Sequence, residues 1–403
     1  MEEKSPVYLV MVSTNNNNKY YRMIPHGDTF DVEYGRVGAS CQHASYSMSQ
    51  WNKKYNEKIK KGYVDQTHLV QDLIQKERPK TESGYKEIEN KVIAEIVQRL
   101  QDMAHQKIQA NYKVSSQQVT QAMVDEAQKV IDKLMYKNSI DDFNATLLEL
   151  FSVIPRKMGN VNDYLSRSTE DFARILKSEQ DLLDVMRGQV VTHTVQDEPE
   201  TEVEDKQETI LEAMGLEFEE ATEEDIRMIK SLLGECRDKF YKAWRVKNIK
   251  TQKRFDNFID KEHISKTKLL WHGSRNENWW SIINTGLVLR PTNAVITGKM
   301  FGYGIYYAPK ARKSLGYTSL SGSYWAKGNS NSAFMALMDV AYGKPYDVHS
   351  FDSKYYDFNY ERLQATCPGA NCLHAHAGSM LRNDEIIVYK EDQCTIKYLV
   401  ELR

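Results

Sequence analysis

The spacing of apolar residues changes twice along this chain, and no single continuous architecture satisfies all three patterns. In the middle stretch Ile88, Val92, Ile93, Ile96, Val97 and Leu100 recur at helical spacing. So do Val119, Met123, Ala127, Val130, Ile131 and Leu134, and later Phe172, Ile175, Leu176, Leu182, Leu183 and Val185. Ser115 or Ser116 can cap one of these helices, and Ser168-Thr169-Glu170-Asp171 suits the start of another. An all-helical domain is expected from Lys86 to about Gly188. Ahead of it, Val7 to Val12, Lys19 to Ile24 and Thr29 to Tyr34 read as strands, with turns at Asn15 to Asn18 and Pro25 to Asp28. A helix from about Ser47 to Ile59 follows, with Gly62 as its C-terminal cap. After it, from about Gln207 to Arg403, short helices, strands and glycine-rich turns alternate. The expected fold class is therefore α+β and multidomain.

Composition narrows the setting. At roughly 100–200 residues per domain, 403 residues suit two to four domains. A net charge of −2 supplies no global attraction to nucleic acid, so any such binding needs a local patch. Five cysteines do not form a disulfide framework, which points to a reducing compartment. The charged start Met1-Glu2-Glu3-Lys4 is not a secretory signal, and no run approaches the ~20 apolar residues of a membrane span. The expectation is a soluble intracellular protein with no membrane partner. Between Asp197 and Asp225 there are 14 acidic residues and one lysine. This reads as a solvated linker entering an acidic helix, or alternatively as a segment whose carboxylates accept modification.

Three distant segments carry the chemistry: Leu270-Trp271-His272-Gly273-Ser274-Arg275, Gly298 to Ala308, and Asn383-Asp384-Glu385-Ile386-Ile387-Val388-Tyr389. Each sets a polar or aromatic group at the end of an apolar, strand-like run. Gly273 lacks a side chain, so a planar amide-bearing ring can reach its backbone N–H and C=O, with Ser314 adding a hydroxyl. Tyr306 and Tyr317 offer flat faces for stacking. Glu385 heads a strand too apolar to be solvated, so its carboxylate needs a partner or a ligand. A carboxylate bonded to a ribose hydroxyl stabilises the oxocarbenium-like centre formed when an N-glycosidic bond breaks. Singly, such a His, Tyr or Glu is most often structural. Their joint occurrence is the signal.

On these residues, Gln207–Arg403 resembles the catalytic domain of the diphtheria-toxin-like ADP-ribosyltransferases, specifically the poly(ADP-ribose) polymerases. His272-Gly273-Ser274-Arg275, Gly302-Tyr303-Gly304-Ile305-Tyr306-Tyr307-Ala308, Lys313-Ser314 with Tyr317, and Asn383 to Tyr389 stand in the family's order. The resemblance implies a mixed α/β domain built on antiparallel sheets and NAD+ as substrate. It implies His272, Tyr306 and Glu385 as the catalytic triad, with His272 on ribose hydroxyls. Gly273 and Ser314 would hold the carboxamide, and Tyr306 and Tyr317 would sandwich the ring. Ser274 and Tyr303 complete the NAD+-binding set. Tyr303 stands where DNA-dependent members carry lysine, so addition of a single unit is an alternative outcome to polymer growth. An inactive DNA-binding scaffold is a further alternative, against which the intact triad counts.

The upstream regions resemble the same family. Tyr34-Gly35-Arg36-Val37-Gly38, followed by Lys58-Ile59-Lys60-Lys61-Gly62-Tyr63, is similar to the WGR domain, a small antiparallel-sheet domain. This implies binding of broken DNA through Tyr34, Arg36, Lys60 and Lys61, with Tyr34 replacing the name-giving tryptophan. Lys86–Gly188 resembles the regulatory helical bundle that shields the NAD+ site until DNA binds, notably around Tyr112 to Val119 and Leu148 to Pro155. The expected layout is 1–82 WGR-like, 84–190 helical and autoinhibitory, 191–206 acidic linker and 207–403 catalytic. Expected partners are DNA strand breaks and acceptor proteins, itself included, with a monomer in the absence of DNA. The compartment would be nuclear in a eukaryote or the cytoplasm and nucleoid in a bacterium. Cys367, Cys372, His374 and His376 lie close in sequence but lack standard zinc-finger spacing, and no metal is expected.

Overall fold

The computed structural model describes residues 4–74, 85–111, 119–196, 208–289, 300–379 and 381–403. The chain packs as two compact units, Met1–Glu82 with His105–Val190, and Ser83–Ala104 with Val191–Arg403. Among the described residues no helix is long and apolar enough to cross a membrane.

The first unit opens with a five-stranded antiparallel sheet of β1 (Val7–Ser13), β2 (Asn17–His26), β3 (Thr29–Arg36), β4 (Gln42–Ser47) and β5 (Val64–Asp65), in the order β4-β3-β2-β1-β5. Alternation explains one of its covered faces. Leu9, Tyr21, Met23, Phe30 and Val32 are buried and pack with Trp51. Trp51 opens the helix Trp51–Lys60, and Gly62 stands beyond it at φ +88°. The helix expected from Ser47 begins later, because Gln42–Ser47 is a strand and Met48–Gln50 a single 3-10 turn.

The helices Gln121–Leu134, Ile140–Val153 and Asp171–Gln196 follow. Thr120 caps the first by accepting from the Met123 N–H at 3.1 Å, and Ser139 caps the second. The alternative caps Ser115 and Ser116 lie outside the described residues. Asp171 accepts from the Arg167 and Ser168 N–H groups, which fixes the start of the third helix. That helix runs on to Gln196, past the expected start of the acidic linker, and the remainder of the linker lies outside the described residues. Met123, Ala127, Val130, Ile131 and Leu134 are buried, as their 3.6-residue spacing requires.

The second unit holds two sheets. One is antiparallel, in the order β6 (Leu216–Glu220), β7 (Phe240–Asn248), β14 (Cys394–Leu402), β10 (Ala333–Val340), β8 (Lys268–Gly273). The other runs β11 (Pro345–Val348), β12 (Cys372–Ala375), β13 (Glu385–Val388), β9 (Ile305–Tyr307), with only β11 and β12 parallel. β10 is buried at seven of its eight positions, as a strand covered on both faces must be. Trp271 and Ala308 exchange backbone hydrogen bonds of 2.9 and 3.0 Å, which joins β8, at one sheet's edge, to the end of β9. The start of the helix Lys91–Asn111 belongs to this unit as well. Its Arg99 forms a two-pronged contact of 3.1 and 3.0 Å with Glu401, a fully buried carboxylate on β14.

Candidate active site

The Trp271–Ala308 bridge sets the geometry of the site. Immediately after Trp271, the His272 Nδ1 lies 3.1 Å from the Tyr306 carbonyl oxygen. A carbonyl only accepts, so Nδ1 carries the proton, and in the neutral ring Nε2 holds the lone pair. The next residue, Gly273, lies against the helix Ala311–Leu315. A Cβ at Gly273 would stand 2.0 Å from the Ser314 carbonyl oxygen, so only glycine permits this approach. Ser314 is buried and its hydroxyl donates to the Trp271 carbonyl at 3.0 Å. Ser274 accepts from the Asn278 side-chain amide at 3.0 Å.

The loop ahead of β9 is tied down by tyrosine hydroxyls. Tyr306 accepts from the Phe301 N–H at 3.0 Å and donates to the Gly302 carbonyl at 3.1 Å. Tyr389 donates to the Phe301 carbonyl at 2.8 Å. Gly302 takes φ +69° where its backbone meets Phe358, and the Tyr303 N–H donates to the Phe358 carbonyl at 2.8 Å. Sequence reasoning gave Tyr306 a stacking face; the structure adds an anchoring role for its hydroxyl.

Glu385 is 9% exposed at the first position of β13, and β13 pairs with β9 so that Ile387 faces Tyr306. Its carboxylate forms an ion pair with Lys313, one residue before Ser314. Lys313 stood in the motif with Ser314 but was given no role at the site. Its adjacency to Ser314 was the available signal, but a pairing across 72 residues is invisible in sequence. Tyr317 follows the same short helix and stacks on Trp325 at 6.3 Å and 20°, a second residue that sequence reasoning missed. Burial, and then the Glu385 charge, push the Tyr317 phenol up to about 12. Burial also lifts the Tyr306 phenol well above its ordinary value. Both rings are thus neutral at physiological pH. Neutral aromatic faces attract a cationic heteroaromatic ring.

In the first unit the candidate DNA-contacting residues are arranged differently. Arg36 donates to the Asn16 carbonyl and side-chain oxygens at 2.8 and 2.9 Å, and to the Met158 and Gly159 carbonyls at 3.2 and 2.7 Å. Its guanidinium therefore ties the turn before β2 to a helical-segment loop. Tyr34 packs against Tyr21 at 5.8 Å. Lys60 is exposed, and Lys61 pairs with Glu57 at 2.6 Å. Lys58 reaches over the rings of Tyr21, Tyr34 and Tyr63.

Comparison with known proteins identifies the family. The profile of the poly(ADP-ribose) polymerase catalytic domain matches residues 223–403, and that of the WGR domain matches residues 5–70. The putative poly [ADP-ribose] polymerase-like protein 100L of Invertebrate iridescent virus 6 is 33% identical over 168 residues, 41% of this chain and 87% of its own length. Protein 101L of the same virus, described as uncharacterized, is 34% identical over 235 residues, 56% of this chain and 94% of its own length. Human poly [ADP-ribose] polymerase 2 is 40% identical over 84 residues, 21% of this chain and 13% of its own length. The matched catalytic profile and these relatives identify an NAD+-consuming ADP-ribosyltransferase. The chain belongs to the poly(ADP-ribose) polymerase family and carries a WGR domain.

Proposed function

We propose that this enzyme transfers ADP-ribose from NAD+ to itself and to other proteins, as chains, and that broken DNA stimulates it in a damage response. The observation that carries this reading is the convergence of His272, Tyr306 and Glu385 from β8, β9 and β13, with Lys313 paired to Glu385. The donor set suits NAD+. The Gly273 backbone and the Ser314 hydroxyl answer a carboxamide, and the neutral faces of Tyr306 and Tyr317 answer a pyridinium ring. His272 Nε2 accepts from a ribose hydroxyl, while Ser274 and Tyr303 flank the bound nucleotide. Glu385 bonds the ribose next to the scissile bond and offsets positive charge there as nicotinamide departs. Lys313 holds that carboxylate in place until a ribose hydroxyl replaces it.

DNA would engage the first unit through Tyr34, Lys60 and Lys61. Arg36, which holds the Asn16 and Gly159 loops, would position that face and contact phosphate once those loops shift. The helices of residues 84–190 would restrain the catalytic residues 207–403, and DNA would favour a loosened helical state. Labelled NAD+ with and without nicked DNA tests this: a product ladder that intensifies with DNA is expected. No product would remove the transferase reading, and equal product without DNA would remove the regulatory one. A second reading, transfer of one unit only, is favoured by Tyr303. This uncharged residue lies in the loop just ahead of β9 and is held through its backbone N–H by the Phe358 carbonyl. A single shifted band in place of the ladder would establish it.

A further inference from the structure

The second sheet of the catalytic unit carries another cluster of side chains, outside the Glu385 site. β11 and β12 run parallel with Asp347 opposite His374. Side chains two apart on a strand share a face. Alternation therefore places Asp347 on β11 and His349 just past its end, and His374 on β12 and His376 just past its end, on one side of the sheet. The rings form a stack, with His374 and His376 centred 4.0 Å apart at 21° and His376 and His349 4.4 Å apart at 14°. Ligand atoms of Asp347, His374 and His376 all lie within 4.8 Å of one another. Asp347 Oδ1 is 2.7 Å from His376 Nε2 and 3.8 Å from His374 Nδ1.

We propose that Asp347, His374 and His376 form a site for a divalent first-row transition metal, with zinc the expected occupant. Two imidazoles and one carboxylate suit such a cation and leave room for water in the remaining position. The surroundings are those of a built site. Asp384 Oδ2 accepts from His374 Nε2 at 2.9 Å, so Nδ1 carries the lone pair on the side facing Asp347. Asp384 is itself oriented by the Ala377 N–H at 2.8 Å. A carboxylate that fixes the tautomer of a ligating histidine is the usual outer partner of a metal ligand. Tyr342, whose hydroxyl lies 2.8 Å from His374 Nδ1, would turn away on binding. His376 would release the proton it shares with Asp347.

The site is not a thiolate one. Cys372 is buried and donates to the Tyr342 carbonyl at 3.2 Å, so the nearby cysteines and histidines do not act as one group. The consequence reaches the catalytic strand. Asp384 directly precedes Glu385, and Ala375 pairs with Glu385 across β12 and β13. A bound cation would stiffen the strand end that presents the catalytic carboxylate.

Titration of the full chain, first stripped with EDTA, with cobalt(II) as a spectroscopic probe and zinc as competitor tests the site. One saturable equivalent with visible d–d absorption, displaced by zinc and accompanied by proton release, is expected. His376→Ala and Asp347→Asn should abolish it, and Asp384→Asn should weaken it about 10–100-fold. Cys41→Ser should leave it intact; this is the control for the exposed Cys41–His43 pair, whose Sγ and Nε2 are 3.2 Å apart. Zinc should raise the melting temperature of the wild type but not of His376→Ala, with both melting alike in EDTA. The proposal is overturned by the absence of a saturable equivalent, by its survival in both ligand variants, or by its loss in Cys41→Ser.

Discussion

Glu385 and Glu401 are both buried glutamates at strand positions in the same unit, yet they are neutralised in different ways. Glu401 has no exposed surface and is gripped by the forked guanidinium of Arg99, with Arg403 at 3.3 Å beside it. Glu385 retains slight exposure and meets one ammonium, that of Lys313. A guanidinium presents several donors in a rigid plane, whereas an ammonium is a point charge on a flexible stem. The first arrangement is built to persist and the second to exchange. On the proposed function, a structural carboxylate and a catalytic one are separated by the partner each has rather than by depth of burial.

The largest effect is expected from removing the carboxylate proposed to act on the substrate. Glu385→Gln should lower NAD+ cleavage and chain growth by about 100–1,000-fold while DNA binding and melting temperature hold, measured by product gel, DNA titration and calorimetry. Retention of full chain length would erase the distinction drawn between the two glutamates. Next is Arg99→Ala, which removes the two-pronged partner of a fully buried carboxylate, leaving it the Arg403 contact, and should cost about 3 kcal/mol in denaturant unfolding. A silent Arg99→Ala would mean Glu401 is not held as described. Lys313→Met should reduce kcat about tenfold, or about 1.4 kcal/mol, with a smaller change in KM for NAD+. Were KM to rise alone, Lys313 would be a binding group and not a partner of Glu385.

The smallest effect concerns a third carboxylate, Asp225. Burial alone would raise its pKa, but donation from Arg245, Thr222 and Tyr398 overcomes this and holds it well below the ordinary carboxylate range. A depressed folded pKa gives stability that is complete above the unfolded value of about 4 and disappears as pH falls through the folded one. Asp225→Asn should therefore be about 1–2 kcal/mol less stable than wild type at pH 7 and draw level in strong acid. A gap that persists unchanged below pH 2 would show that the contribution is not ionic.

The strands that carry the candidate site were legible because apolar runs that end in His-Gly-Ser or Tyr-Tyr-Ala, or start after Asp-Glu, leave few other readings. Residues 7–34 were equally readable as β-rich runs bounded by turns, although β2 extends from Asn17 to His26, into both expected turns. β4 was missed because Gln42, His43, Ser45 and Ser47 give an edge strand no apolar pattern. Lys313, Trp325 and Arg99 were missed for another reason. Each gains its role from a partner, and the separation from Arg99 to Glu401 is 302 residues. Arg36 illustrates the converse: its residue type suggested phosphate, while its surroundings supply four oxygen acceptors from the protein itself. Periodicity reports which face is buried, but it carries no information about which distant side chain answers a charge.

The close seat of Gly273 on Ser314 bears on how mutants of this enzyme are interpreted. Lys313, Ser314 and Tyr317 ride on one short stretch of chain, and that stretch rests on the missing side chain of Gly273. Gly273→Ala would shift all three together before any substrate arrived. An inactive alanine variant would therefore be poor proof that the glycine backbone touches a ligand, since a displaced scaffold gives the same blank assay. The informative substitutions lie on the moving part, where each side chain can be altered without disturbing its seat.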